Sequence, residues 1–370
     1  MRAISVKGFL TLIIAAVAFV GCAAAQSTTS QRIVAVGDLH GDYDAYESII
    51  IAAGISDKRG RWTGGDAIFV QTGDIADRGP DSRKIIEHIR KLQKRAEKKG
   101  GLVVTLVGNH EAMNMTGDLR YVHPGEYASF ADRNSKKRRQ KYYDDNREAF
   151  EKFYLENVDS SLSSEAIRDK VFEVWPLGRI EHNAAWSAGG EIGAWVSDNP
   201  AVAKIGDTLF VHGGLSAEYS IFSIDNINER VRAALKARDE SPDSILADEY
   251  GPLWYRGLIQ RDNSAEIKDA IAAADAGGAV VMPVRPSMEA EIAAVLTAFD
   301  AARIVVGHTP HVEGIRARLD GRVIQIDTGA ADYYGGVASY LEIIGDEVIA
   351  HNVSTGDATV LSSMGENGDQ

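Results

Sequence analysis

Three times in its N-terminal part the chain repeats one pattern: a short apolar run, then glycine, then aspartate or asparagine, then a polar stretch leading to a helical stripe. Ile33-Val34-Ala35-Val36 runs into Gly37-Asp38-Leu39-His40-Gly41-Asp42. Ala67-Ile68-Phe69-Val70 leads to Gly73-Asp74-Ile75-Ala76-Asp77-Arg78-Gly79-Pro80, and Leu102 to Val107 ends in Gly108-Asn109-His110-Glu111. Between the runs, Tyr46, Ile49, Ile50 and Ala53 recur at helical spacing, as do Ile85, Ile89, Leu92 and Ala96. Asp42 suits the N-cap of the first helix and Pro80 the first turn of the second. Strands alternating with helices pair in parallel through right-handed crossovers, which puts their C-terminal ends along one edge, where ligands bind in α/β folds. The three motifs therefore converge. Each glycine permits positive φ or close backbone approach where a branched residue would be strained.

The later chain adds to that edge. Strands are expected at Glu191–Val196, Thr208–Val211, Arg303–Val306, Arg322–Ile326 and Ser339–Ile344. Thr208–Val211 ends in His212-Gly213-Gly214, and Arg303–Val306 in Gly307-His308-Thr309-Pro310. Residues 112–172 are polar, charged and aromatic, with five positive charges between Ser135 and Lys141. They read as a solvated helical insertion. A helical, acidic region spans Asp225 to Asp239, and the Ala/Gly-rich stretch from Asn263 to Met288 reads as a surface excursion.

Arg2 and Lys7, the apolar run Phe9 to Val20 and the small residues Gly21-Cys22-Ala23-Ala24-Ala25 form a secretory leader. Val20-Gly21-Cys22 resembles a bacterial lipobox, in which Cys22 becomes the lipid-modified first residue; Ala23-Ala24-Ala25 offers an ordinary cleavage site instead. Cys22 is the only cysteine, so no internal disulfide forms. The expectation is an exported, periplasmic lipoprotein with residues 1–22 as its signal peptide. Loss of Arg2 and Lys7 with the leader takes the formal charge from −13 to −15. That acidity excludes a nucleic-acid-binding surface, which needs a basic face.

Asp38, His40, Asp74, Asn109, His212 and His308 all stand just past strand ends. They are oxygen and imidazole donors without a thiolate, suited to Mn, Fe, Zn or Co. Six ligands exceed what one catalytic metal with an open position uses. They suffice for two metals about 3.5–4 Å apart if a carboxylate bridges them, and Asp74 is the natural bridge. His88, His123, His182, His311 and His351 lack the strand-end setting and default to structural or surface roles.

Taken together, GDLHGD, GDIADRG, GNHE, HGG and the late GHT resemble the signature blocks of the metallophosphoesterases, in the form used by the PPP-type protein phosphatases. Ala112 to Val122 and the pairing of HGGLS with GHTPH resemble the branch called Shewanella-like protein phosphatases. The resemblance covers nearly the whole chain after the leader. It implies an α/β (α+β) calcineurin-like fold, a central two-sheet β-sandwich flanked by helices. A single catalytic domain would span 32–355, with the insertion at about 112–172 and a tail at 356–370. It further implies two divalent metal ions, manganese foremost, with Asp38, His40 and Asp74 at the first and Asp74, Asn109, His212 and His308 at the second. By the same resemblance His110 is the catalytic acid, Asp77 orients it, Arg78 clamps phosphate, and Arg256 is a second clamp by approximate position. A metal-bridging hydroxide would attack phosphorus in line with the leaving oxygen.

The chain lacks the SAPNY-type segment of the eukaryotic Ser/Thr enzymes. Substrates implied are phosphorylated proteins, phosphotyrosine or phosphoserine/threonine, or a small phosphoester. Tyr121, Trp254, Tyr255, Tyr333 and Tyr334 are candidates to line a pocket for a phenyl ring. Two other readings remain: a diadenosine tetraphosphatase-like enzyme, whose relatives typically read GNHD where this chain has Glu111, and a noncatalytic exported binding lipoprotein.

Overall fold

The computed structural model describes residues 31–261 and 285–363. The leader, Cys22 and nearly all of the Asn263–Met288 stretch lie outside them. The first repeat gives β1 (Ile33–Val36) and α1 (Tyr43–Ala52), the second β2 (Ile68–Gln71) and α2 (Ser82–Glu97), the third β3 (Leu102–Thr105) and α3 (Asn109–Thr116). β1 pairs in parallel with β2, and β2 with β3. Asp42 caps α1 by accepting from the Ala45 amide at 2.9 Å. Pro80 stands just ahead of the α2 N-cap, Asp81, and not in the first turn.

Helices then continue through α4 (Pro124–Phe130), α5 (Ser135–Asp145), α6 (Arg147–Asn157), α7 (Ser164–Val174), α8 (Arg179–Trp186) and α9 (Glu191–Asp198). The helical stretch thus runs past residue 172, and α9 replaces the strand expected at Glu191–Val196. Ile192 and Val196, four apart, share a buried face with Gly193 and Ser197. Over so short a window that helical spacing looks like alternation. α5 and α7 carry a small core of their own around Tyr143, Ile167 and Val171.

The second half gives β4 (Val202–Ile205), β5 (Thr208–Val211), α10 (Ile224–Ala237), α11 (Met288–Ala298), β6 (Arg303–Val306), β7 (Arg316–Arg318), β8 (Val323–Gln325), β9 (Ser339–Ile344), β10 (Glu347–Asn352) and β11 (Ala358–Ser363). One sheet has the order β11-β10-β9-β1-β2-β3, the other β4-β5-β6-β8-β7. β11 falls in the stretch expected as a tail. The turn at Thr355-Gly356 folds it back onto β10 as an antiparallel hairpin, so its backbone is paired.

Alternate side chains of the inner strands explain the continuous apolar runs. Ile33 and Ala35 of β1, Ile68 and Val70 of β2, Phe210 of β5, Val305 of β6 and Ile324 of β8 fill the space between the two sheets. Val34, Val36, Phe69, Leu209, Val211, Ile304 and Val306 point the other way, into the layers beneath the helices. Both faces are buried, as parallel strands with helical crossovers require. β5, β6 and β8 form a second parallel trio. The two trios present their C-terminal ends together, and the site lies there.

Candidate metal centre

The loops after the strands are tied sideways before any side chain is counted. Leu39 and His40 both donate their amides to the Asp74 carbonyl at 2.9 and 3.0 Å, Gly41 donates to Ile75 O at 2.7 Å, and Gly307 to His212 O at 2.8 Å. Such close contact needs missing side chains. A Cβ on Gly108 would stand 2.2 Å from Asp74 Oδ1, and one on Gly307 would stand 2.5 Å from Asp38 Oδ1. Five residues of the site, three of them predicted ligands, are bent into the left-handed region: His40 at φ 45°, Asp74 at 55°, Asp77 at 73°, Arg78 at 67° and His308 at 64°. Non-glycine residues seldom adopt it, and each such residue costs about 1–3 kcal/mol.

The side chains converge on Asp74. One ligand atom each from His40, Asp74 and His110 lie within 4.8 Å of one another, and so do atoms of Asp74, His212 and His308. His212 Nε2 is 3.3 Å from Asp74 Oδ2 and 2.9 Å from Asn109 Oδ1. His40 Nε2 lies 3.9 Å from both Asp38 Oδ2 and Asp74 Oδ2. All six predicted ligands are brought together and buried. His110 stands beside them, its Nε2 3.8 Å from Asp74 Oδ2, about as near as His40.

The imidazoles are oriented by what holds their other nitrogen. His40 Nδ1 faces the Ala76 carbonyl at 3.1 Å and His212 Nδ1 faces Thr72 O at 2.9 Å, which leaves the Nε2 lone pairs turned inward. His308 Nε2 is buried with no hydrogen-bond partner among the described residues. Burial lowers His40 to about 4 and holds His308 well below the usual histidine range, so both are neutral and able to coordinate. Burial raises Asp38 well above the carboxylate range, helped by Asp327 and Asp74. For Asp74 burial acts in the same direction, yet His212 and His110 outweigh it and hold the carboxyl low. Orphaned nitrogen, neutral histidines and crowded carboxylates fit a divalent metal centre, in which cations supply the missing partners.

His110 differs from the other histidines. Its Nδ1 is 2.6 Å from Asp77 Oδ2, and although burial opposes the charged form, the fields of Asp74 and Asp77 raise its pKa. Asp77 is fixed in turn by Asn114, whose Nδ2 donates to Oδ1 at 2.9 Å. Arg78 lies between two rings, 3.9 Å from the centroid of Tyr121 and 4.7 Å from that of Tyr333, and donates to the Tyr333 hydroxyl at 3.1 Å. Its Nε is buried without a hydrogen-bond partner among the described residues. Arg256 reaches the opposite rim, with Nη2 3.5 Å from the His308 carbonyl and in the field of Asp74 and Asp38. Of the five candidate aromatics, Tyr121 packs on His110, Tyr334 on His40 and Trp254 on His308, with ring centroids 5.2, 5.2 and 5.6 Å apart, while Tyr333 contacts Arg78. Tyr255 does not join them: it is buried behind the site with its hydroxyl 2.6 Å from Glu291.

Sequence reasoning passed over three residues. Glu111 is buried and its carboxylate accepts four backbone amides, from Asp74 at 2.8 Å, Ile75 at 2.8 Å, Ala76 at 3.1 Å and Gly108 at 2.9 Å. It therefore joins the second loop to the third. Asn114 props Asp77, one helical turn beyond His110. Asp327, just past β8, is buried beside Asp38, and burial pushes it up to about 6. Its place after a strand was the available signal.

The model of the Calcineurin-like phosphoesterase family matches residues 31–312. This chain is a calcineurin-like phosphoesterase. The phosphoesterase is 32% identical over 321 residues to an uncharacterized protein of Schizosaccharomyces pombe, covering 84% of this chain and 76% of that one. It is 31% identical over 313 residues to Shewanella-like protein phosphatase 2 of Arabidopsis thaliana, covering 81% of this chain and 71% of the relative. Among solved structures it resembles the cold-active protein-tyrosine phosphatase of a psychrophilic Shewanella species, with a TM-score of 0.63, 26% identity and coverage of 90% and 81% of the two chains. These likenesses place the phosphoesterase in the Shewanella-like branch that its motifs resemble.

Proposed function

We propose that this phosphoesterase is a metal-dependent protein phosphatase that removes phosphate from phosphotyrosine in exported or surface proteins. One observation carries the chemistry: Asp74 lies between His40 on one side and His212 and His308 on the other, and the His110–Asp77 pair stands beside it. Asp38, His40 and Asp74 would hold one cation, and Asp74, Asn109, His212 and His308 the other, with manganese the expected metal. Cations held by these residues would supply Lewis acidity, lowering the pKa of a bound water and offsetting charge on the phosphoryl oxygens.

The chain's own residues do the rest. Arg78, with an unpartnered Nε and a face-on tyrosine at each side, presents planar donors to two phosphoryl oxygens. Arg256 meets the phosphoryl group from the opposite rim. As a water oxygen bonds to phosphorus and the P–O ester bond breaks, His110 gives its Nε2 proton to the leaving oxygen, and Asp77 holds the resulting imidazole by its Nδ1–H. Histidines with lowered pKa suit coordination, and the one with a raised pKa suits proton donation, which supports this division. Tyr121, Tyr333 and Tyr334 put aromatic surface beside the phosphate position, which favours an aryl phosphoester.

The deciding experiment is a panel of phosphotyrosine, phosphoserine and phosphothreonine peptides plus dinucleoside polyphosphates, assayed with added Mn, alongside metal analysis of the purified protein. Preference for dinucleotides, or absence of both metal and activity, overturns the reading. Anchoring through Cys22 belongs to the same proposal. Among the described residues no helix is long and apolar enough to cross a membrane. Unchanged mass and membrane fractionation in Cys22→Ser would remove the anchor.

A further inference from the structure

α3 carries the site at its N-terminus, with Asn109 and His110, and the rest of the helix leads away from it. Ala112 to Thr116 and the following residues to Tyr121 form the floor of a cavity of about 990 Å³. Its walls come from α8 at Asn183, from the end of α10 at Arg238 to Glu240, and from the loop at Leu246 to Glu249. Tyr121 and Trp254 line the cavity and also pack against His110 and His308, so cavity and metal centre share a rim.

Pockets of roughly 300–1,000 Å³ take whole drug-sized ligands. This one is at the upper end of that range and lies beyond the phosphate position, so a phosphoryl group with one aromatic side chain leaves it unfilled. Its lining mixes apolar surface from Met113, Leu246 and Trp254 with polar groups, as a peptide's alternating side chains and amides demand. The charged lining is unevenly committed. Arg120 is paired with Asp118 at 2.6 Å, Arg238 donates to the Thr116 carbonyl at 2.8 Å, Arg179 donates to the Val174 carbonyl, and Asp239 accepts the Ser241 amide at 3.1 Å. Glu240 and Glu249 are exposed and make no ion pair or hydrogen bond among the described residues.

We propose that this cavity holds the polypeptide flanking the phosphorylated residue, and that Glu240 and Glu249 favour a flank bearing lysine or arginine. The inference rests on the phosphatase reading above and adds where the enzyme distinguishes a protein from a small phosphoester.

The test compares kcat/KM for free phosphotyrosine with that for short phosphotyrosine peptides whose flanks are basic or acidic, in the full chain loaded with Mn. The wild type should prefer the basic peptide to free phosphotyrosine by about tenfold or more. Ala247→Trp and Asn183→Trp, at exposed positions on opposite walls, should remove most of that preference while leaving free phosphotyrosine turnover unchanged. E240K/E249K should reverse the order of basic and acidic peptides. Equal kcat/KM for peptide and free amino acid, or wall variants that lower both alike with an intact melting temperature, overturn the cavity's role while leaving the phosphatase reading in place. A wild type inactive on every phosphomonoester overturns both.

Discussion

His110 Nδ1 lies 2.6 Å from Asp77 Oδ2, both side chains are buried, and a second bond from Asn114 to Oδ1 fixes the carboxylate from the other side. A proton donor must be protonated to act. Because the carboxylates raise His110, activity on poor leaving groups should persist above the usual histidine pKa and fall as the pH rises through the raised value. Asp77→Asn removes one of those fields, so the alkaline fall should begin at lower pH. His110→Asn should lose about 10²–10⁴-fold on alkyl phosphates and far less on an activated aryl phosphate. Equal losses on both substrates would refute the acid role.

Glu111 binds four amides from two loops with one carboxylate, so its loss acts on geometry more than on charge. Glu111→Gln turns an amide N–H toward backbone N–H groups and leaves at least one of them unsatisfied. The cost should be on the order of 2 kcal/mol, read by denaturant unfolding, with weakened metal binding by titration. A variant with unchanged stability and metal affinity would show that the loops hold themselves.

Glu126 accepts the amides of Ser82 and Arg83 at the start of α2, and burial pushes it from 4.5 up to about 8. A carboxyl that keeps its proton in the fold to about pH 8 but loses it near 4.5 when unfolded stabilises the fold most below 4.5. That contribution fades as the pH climbs and is gone above the folded value. Glu126→Gln should therefore flatten the unfolding free energy across this window. Parallel curves for the two proteins would contradict the assignment.

Arg78 gains unequally from its two tyrosines. Tyr333 is 60% exposed, so Tyr333→Phe, which removes only the hydroxyl, should change kcat/KM by less than about 1 kcal/mol. Arg78→Lys keeps the charge but loses the planar fork and the stacking on Tyr121, and should raise KM on the order of tenfold or more. If lysine substitutes without loss, Arg78 supplies charge alone.

The strand ends were legible because burial on both faces makes inner strands uniformly apolar, and because close loop contact demands glycine where each strand stops. The same rule hid the edges. β4 ends half-exposed, and β7, Arg316–Arg318, is half-buried throughout, so neither reads as an apolar run. Asp327 follows a strand as Asp38 and Asp74 do, but Ile326 precedes it where they have glycine. Glu111 could not be assigned its task from sequence, since three of its four amides belong to residues more than thirty positions away. Trp254 and Tyr255 are neighbours in sequence and face opposite ways, one to the site and one to Glu291.

The left-handed backbone at His40, Asp74, Asp77, Arg78 and His308 has an evolutionary consequence. Glycine would sit at each position without strain, so a chain no longer selected for turnover can gain conformational ease most readily where the side chain anchors no backbone group, as at Asp77, Arg78 and His308; His40 and Asp74, which bond the Ala76 carbonyl and the His110 amide, are held by the fold as well. At those three positions no backbone anchor opposes the decay of activity. A long-lived copy that keeps Asp77, Arg78 and His308 has been held to them by selection for catalysis.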